Sequence, residues 1–236
     1  MTRGWVTRRR TVAALGVTAL LSTQLALAAS APAAAVPAVD SAAASHGHSG
    51  GVARPITPRQ VAFHDRMRVL WTDHVVWTRL AIVTFAEESA GFDATAARLL
   101  QNQVDIGDAF KPFYGQATGD RLTGLLREHI LIAVELLQAA KAGDAPALEA
   151  ARVRWYANAD DISRLLTRIN PRSWPFNTVR AAMRTHLDQT LTEATHELTG
   201  DYQASVADYD EIQEHILAMA DLLSSGIARQ FPHRFR

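Results

Sequence analysis

Three histidines stand where an amphipathic helix carries its apolar stripe: His74, His129 and His186. Phe63, Met67, Leu70, His74, Ala81, Ile82 and Phe85 share one helical face, as do Leu122, Leu126, His129, Ala133, Leu136 and Ala140. Val179, Met183, His186, Thr190, Glu193 and Glu197 repeat the pattern at steps of three and four. A polar side chain in such a seam needs a partner, because an unsatisfied one costs about 1–3 kcal/mol. A lone seam histidine is ordinarily bonded to a backbone carbonyl or a carboxylate. Three of them, with carboxylates on the intervening segments, point to a common polar centre.

Asn102 and Asp105 share a face at i, i+3, as do Asn158 and Asp161. Asp208, Glu211 and His215 lie at i, i+3, i+7, and Glu193 falls two turns beyond His186. Glu211 and His215, one turn apart, can ligate a single ion. The expected ligand set is therefore His74, His129, His186, Glu193, Glu211 and His215. Asn102, Asp105, Asn158 and Asp161 would surround it, with Arg79 one turn past His74 and Trp71 and Trp155 as walls of a pocket. Nitrogen and carboxylate donors without sulfur suit Zn, Fe, Mn, Cu(II) or Ni. The competing reading is a ring of buried hydrogen bonds and ion pairs that fixes helix register.

These residues must be positioned by helices. After residue 56, prolines fall at 58, 112, 146, 171, 175 and 232, and the intervals between them carry apolar residues with helical spacing. Alternating strand patterns and Asn-Gly or Asp-Gly hairpin signals are absent. The spacing predicts helices over 58–88, 93–110, 119–142, 146–169, 176–198 and 202–230. Gly91, Gly115, Gly143, Asn170-Pro171 and Gly200 serve as stops. Long helices with short connections make an all-α antiparallel bundle of six. The interval from each histidine to Asn102, Asn158 or His215 is 28, 29 and 29 residues, and the histidines are 55 and 57 apart. That recurrence fits three repeated helical hairpins; shared helical periodicity is the alternative.

The N-terminus has a different character. Arg8-Arg9-Arg10 precedes an uncharged stretch to Ala28 that ends in Ala26-Leu27-Ala28, the parts of a secretory signal peptide over residues 1–28. The arginines also permit twin-arginine export. Residues 29–56 are Ala, Pro, Ser, Gly and Val with almost no large side chain, a disordered tether. His46 and His48 inside it could touch a metal. The expected domain, 57–236, is large enough for one core. An extracytoplasmic protein with no membrane span after signal cleavage is expected.

Other classes are excluded by what the chain lacks. With no cysteine there is no disulfide, thiolate catalysis or Cys-based zinc site. Balanced charge, 24 basic against 24 acidic residues, gives no nucleic-acid footprint. A single Glu-x-x-His, Glu193-Ala-Thr-His196, falls short of the two that a ferritin-like di-iron centre needs. His-Glu-x-x-His, Gly-x-Ser-x-Gly, the P-loop and Gly-x-Gly-x-x-Gly are missing, so no nucleotide cofactor is expected. Asp208-Tyr-Asp210 matches the Asp-x-Asp of glycosyltransferases but lies within a helix.

The runs Leu70-Trp-Thr-Asp-His-Val-Val-Trp-Thr-Arg79, Leu99-Leu-Gln-Asn-Gln-Val-Asp-Ile-Gly107, Trp155-Tyr-Ala-Asn-Ala-Asp160 and Gln230-Phe-Pro232 resemble an uncharacterised family of exported bacterial all-helical proteins. The resemblance covers about Val69 to the C-terminus and implies the helical fold. The name glycosyltransferase, transferred onto such proteins, has no motif behind it here. Two functional expectations follow: a metal-binding bundle centred on the histidines, or a non-catalytic interaction or envelope-associated protein whose polar seam is structural. An anion binder using Arg79 is a weaker third.

Overall fold

Every described connection between helices is short, and that dictates the architecture. The computed structural model describes residues 56–236. The expected signal peptide and all of the expected tether but Ile56 lie outside them. Six helices follow in order: α1 (Pro58–Ala86), α2 (Phe92–Tyr114), α3 (Gln116–Ala142), α4 (Ala145–Ile169), α5 (Phe176–Thr199) and α6 (Tyr202–Gln230), then a 3-10 turn, Pro232–Phe235. There is no strand among the described residues. Each helix packs on the next, and α6 returns to α1, so the six close into a ring. The odd-numbered helices α1, α3 and α5 also touch one another, which makes them the inner set.

Local signals set the helix ends. Thr57, Asp144 and Asp201 cap α1, α4 and α6 by accepting from the N–H of Gln60, Ala147 and Ala204. The end of α2 departs from the sequence expectation, which stopped it near 110. It runs through Pro112 to Tyr114. Proline in a last turn forfeits one backbone bond. The extension places Phe113 against Phe63 and Phe235, and Tyr114 against Trp174 and Phe231. Gly115, at φ 83°, then turns the chain directly into α3.

α3 consequently starts before Gly119, and that glycine has a packing role. A Cβ on Gly107 would lie 2.8 Å from the Gly119 carbonyl, and one on Gly119 would lie 2.9 Å from the Gly107 carbonyl. The α2–α3 crossing therefore requires bare backbone on both sides. The largest core cluster runs through all six helices, with Trp174 and Phe110 fully enclosed. No helix among the described residues is long and apolar enough to cross a membrane.

The candidate histidine centre

The three hairpins repeat one hydrogen bond. Asn102 Nδ2 donates to the Leu70 carbonyl at 3.0 Å, Asn158 Nδ2 to that of Leu125 at 3.1 Å, and His215 Nε2 to that of Ala182 at 2.9 Å. Each acceptor lies four residues before the histidine of its own inner helix: His74, His129, His186. The even-numbered helix of each hairpin is thus pinned to the odd-numbered one at one level. The turns repeat as well. Gly143 and Gly200 take positive φ, and in the first hairpin Glu88, at φ 53°, does so. All three stand fourteen residues past their histidine. Glu88, not Gly91, is therefore the counterpart of the two glycines.

This scaffold buries His74, His129 and His186 at 3–4 % exposure. His74 Nε2 lies 3.3 Å from His186 Nε2. His129 Nδ1 donates to Asn158 Oδ1 at 2.9 Å, and its ring stacks on Trp155 with centroids 5.1 Å apart. Gln103, which the sequence reading passed over, sits behind His74. Its Nε2 donates to the Leu99 carbonyl at 2.9 Å, which orients the amide, and lies 3.3 Å from His74 Nδ1. The same Nε2 also donates to Asn102 Oδ1 at 3.2 Å. His186 Nδ1 and Gln103 Oε1 are buried without a hydrogen-bond partner.

Burial is the main force on these imidazoles, because desolvation penalises the charged form. It draws His74 down to about 3, with the nearby His129 adding to the effect. His129 falls to about 4, and its bond to Asn158 works in the opposite direction. His186 lies well below the usual histidine range, through burial first and then through His74, His129 and His215. All three are neutral at physiological pH, each with a nitrogen lone pair.

The other expected ligands lie elsewhere. Glu193 is buried, but Arg79 Nη1 reaches its Oε1 at 2.6 Å. The same Nη1 bonds the Ser205 hydroxyl at 3.0 Å and carbonyl at 3.1 Å. Ser205 in turn donates to Glu197 at 2.7 Å. Arg79 thus joins a second polar network between α1, α5 and α6, with Tyr209 beneath its guanidinium and His196–Asp208 alongside. Burial holds the Glu193 carboxyl up at about 7, against the pull of Arg79, with Asp208 and Glu197 adding to the rise. The i, i+4 spacing of Glu193 and Glu197 on one stripe was the signal for this network.

Glu211 is exposed on α6. His215 spends Nε2 on Ala182, as described. Asp105 bonds Gln101, with Arg98 at 3.6 Å, and Asp161 pairs with Arg164 at the surface. Trp155 stands against the centre, its Nε1 donating to the His129 carbonyl. Trp71 packs edge-on to His74, and its Nε1 has no partner. Among the described residues, no group of three or more His, Asp or Glu side chains is arranged to hold a metal ion. No protein-family model, curated protein or solved structure matches the chain.

Proposed function

We propose that the protein binds a divalent transition metal (Zn, Fe, Mn, Cu(II) or Ni) at the histidine centre, with His74 and His186 as its first two ligands and His129 as the further nitrogen on the third inner helix. The observation that carries this reading is the 3.3 Å between the two Nε2 atoms. Two nitrogens bound tetrahedrally to one ion at about 2.0–2.1 Å stand about 3.3–3.4 Å apart. Neutral imidazole is the ligating form. An ion on His74 Nε2 would require the imidazole proton to sit on Nδ1. His129 already has the matching arrangement, with Nδ1–H held by Asn158. The signal-like residues 1–28 support placing this function outside the cytoplasm, by Sec or twin-arginine export.

The second reading treats the layer as structural, and one observation favours it. The three inter-helix bonds to Leu70, Leu125 and Ala182 fix register without any ligand, and His74–His186 is then an N–H···N bond. Elemental analysis of untagged protein separates the two. On the metal reading, His74→Ala or His186→Ala abolishes bound metal and with it the metal-dependent rise in melting temperature, since a ligand bound only by the folded state stabilises it by mass action. His64→Ala and His233→Ala leave both unchanged. No copurifying metal, together with identical melting of wild type with and without added metal, establishes the structural reading.

A further inference from the structure

Charge is segregated along the bundle. The histidine layer divides the described residues into a side with the hairpin turns and a side with the start of α1 and the C-terminus. The turn side carries five Lys or Arg against fourteen Asp or Glu, and the other side fourteen against nine. A domain that is acidic as a whole therefore has a cationic end. Four parts of the chain are tied together there. Gln230 Nε2 donates to the Ile169 carbonyl at 2.9 Å, Asn170 Nδ2 to that of Gly226 at 3.0 Å, and Thr57 to that of Phe235.

Arg59, Arg168, Arg172, Arg229, Arg234 and Arg236 are exposed on this end. The nearby carboxylates of Asp120, Asp160, Asp161 and Asp221 are already held by other cations, which leaves the six arginines without an ion pair among the described residues. Unpaired cations gathered on one end repel one another, and an anionic partner relieves that repulsion. Two apolar side chains stand beside Arg59 at the start of α1: Ile56 is 70 % exposed and Val61 48 %. The uncharged stretch 11–28 is joined to the domain at this end, through Ile56.

We propose that this end docks on a bilayer with anionic headgroups, its arginines against the phosphates and Ile56 and Val61 in the interface. Clusters of about four to eight Lys or Arg beside an apolar segment are what anionic lipid attracts. Exposed apolar side chains add to binding where acyl chains are within reach, which favours a bilayer over a soluble polyanion. The same surface repels the acidic turn end, so the domain is held with its hairpin turns away from the lipid. Docking of this kind makes no demand on what the histidine layer binds.

Sedimentation of the full chain with vesicles tests the surface. The quantity to follow is partitioning into phosphatidylcholine–phosphatidylglycerol vesicles relative to phosphatidylcholine alone, a ratio in which charge-independent binding by residues 11–28 cancels. Each arginine at the lipid is worth about fivefold in partitioning. Arg172→Gln combined with Arg234→Gln should therefore lower the ratio about 25-fold. Both side chains are exposed, so the melting temperature should not move. Glu87→Gln, at the opposite end, should not lower the ratio. The chain has no cysteine, so a spin label can be placed singly at either end of α5. On Asn177→Cys it should lose access to a water-soluble relaxation agent when anionic vesicles are added, and on Thr199→Cys it should keep it. A ratio indifferent to the arginine substitutions, or labels that respond alike at the two ends, overturns the proposal. So does tighter binding to soluble polyphosphate than to the anionic vesicles, which would assign this end to a polyanion.

Discussion

The histidine layer and the Arg79–Glu193 network lie two turns apart on α5, and the same force drives them in opposite directions. Burial disfavours charge in both. In the first it holds three bases neutral by keeping protons off; in the second it pushes an acid toward neutrality by keeping a proton on. The layer repeats around the three hairpins and is built on bonds to backbone. The network belongs to α1, α5 and α6 alone, where the Arg79 guanidinium pairs with the buried Glu193 and bonds Ser205, which in turn donates to the buried Glu197. The hairpin scaffold is thus common to three units while the chemistry placed on it is not, and pH separates the two regions.

The largest expected effect is acid unfolding of the metal-free protein. The folded pKa values of His74, His129 and His186 lie below the ordinary value, so the unfolded chain binds more protons. Their stabilisation is present above about pH 6.5 and is lost as pH falls below it. Each proton contributes about 1.4 kcal/mol per pH unit, so three give a slope approaching about 4 kcal/mol per unit. Denaturant titrations between pH 7 and 5 measure it. Uptake of fewer than two protons on unfolding would mean that the layer does not stay neutral.

The network should respond with the opposite sign. Glu193 has a raised folded pKa, so its contribution is present below the unfolded value near 4.5 and is lost as pH rises through about 7. Arg79→Met strands the buried Glu193 carboxylate, and breaking a buried pair in this way costs about 3–5 kcal/mol. The cost should be largest at pH 8 and shrink toward pH 6, where Glu193 holds a proton. Adding Glu193→Gln should recover much of it and remove the pH dependence. A penalty that is constant with pH would show that Glu193 is not the titrating partner.

These two regions were not equally legible in the sequence. The inner stripe exposed the histidines because a helix places every third or fourth residue on one face, and the 28- and 29-residue intervals identified Asn102, Asn158 and His215, which carry the repeated bond. Those intervals cannot say which way a polar group faces. Glu211 lies on the same helix as His215 yet points to solvent, since a helix on the outside of a ring buries only a narrow stripe. Glu193 was correctly placed in the core, but its partner, Arg79, is 114 residues away on α1. A long arginine side chain can reach across helices from a half-buried position, and its target is set by packing rather than by spacing. Gln103 was missed because glutamine carries no charge and no periodic mark of its own.

The smallest predicted effect calibrates the other two. Glu88 adopts the left-handed conformation that Gly143 and Gly200 adopt in the other hairpins, and it does so on the surface. That conformation costs an L-residue roughly 1–2 kcal/mol, against about 0.5–1 kcal/mol of extra chain entropy for glycine. Glu88 also pairs with Lys141 at 3.1 Å, but its side chain is 80 % exposed and such a pair contributes little. Glu88→Gly should therefore raise stability by about 0.5–1 kcal/mol. Gly143→Ala and Gly200→Ala, where an added Cβ would meet nothing within 4 Å, should each lower it through backbone strain alone. Because the turn touches neither the histidines nor Glu193, Glu88→Gly should lift the whole stability–pH curve while preserving its shape. A change in slope would mean that the hairpin turns and the buried groups are coupled, and the separation of common scaffold from local chemistry would fail. Denaturant midpoints at pH 5.5, 7 and 8, compared with those of the two alanine variants, decide it.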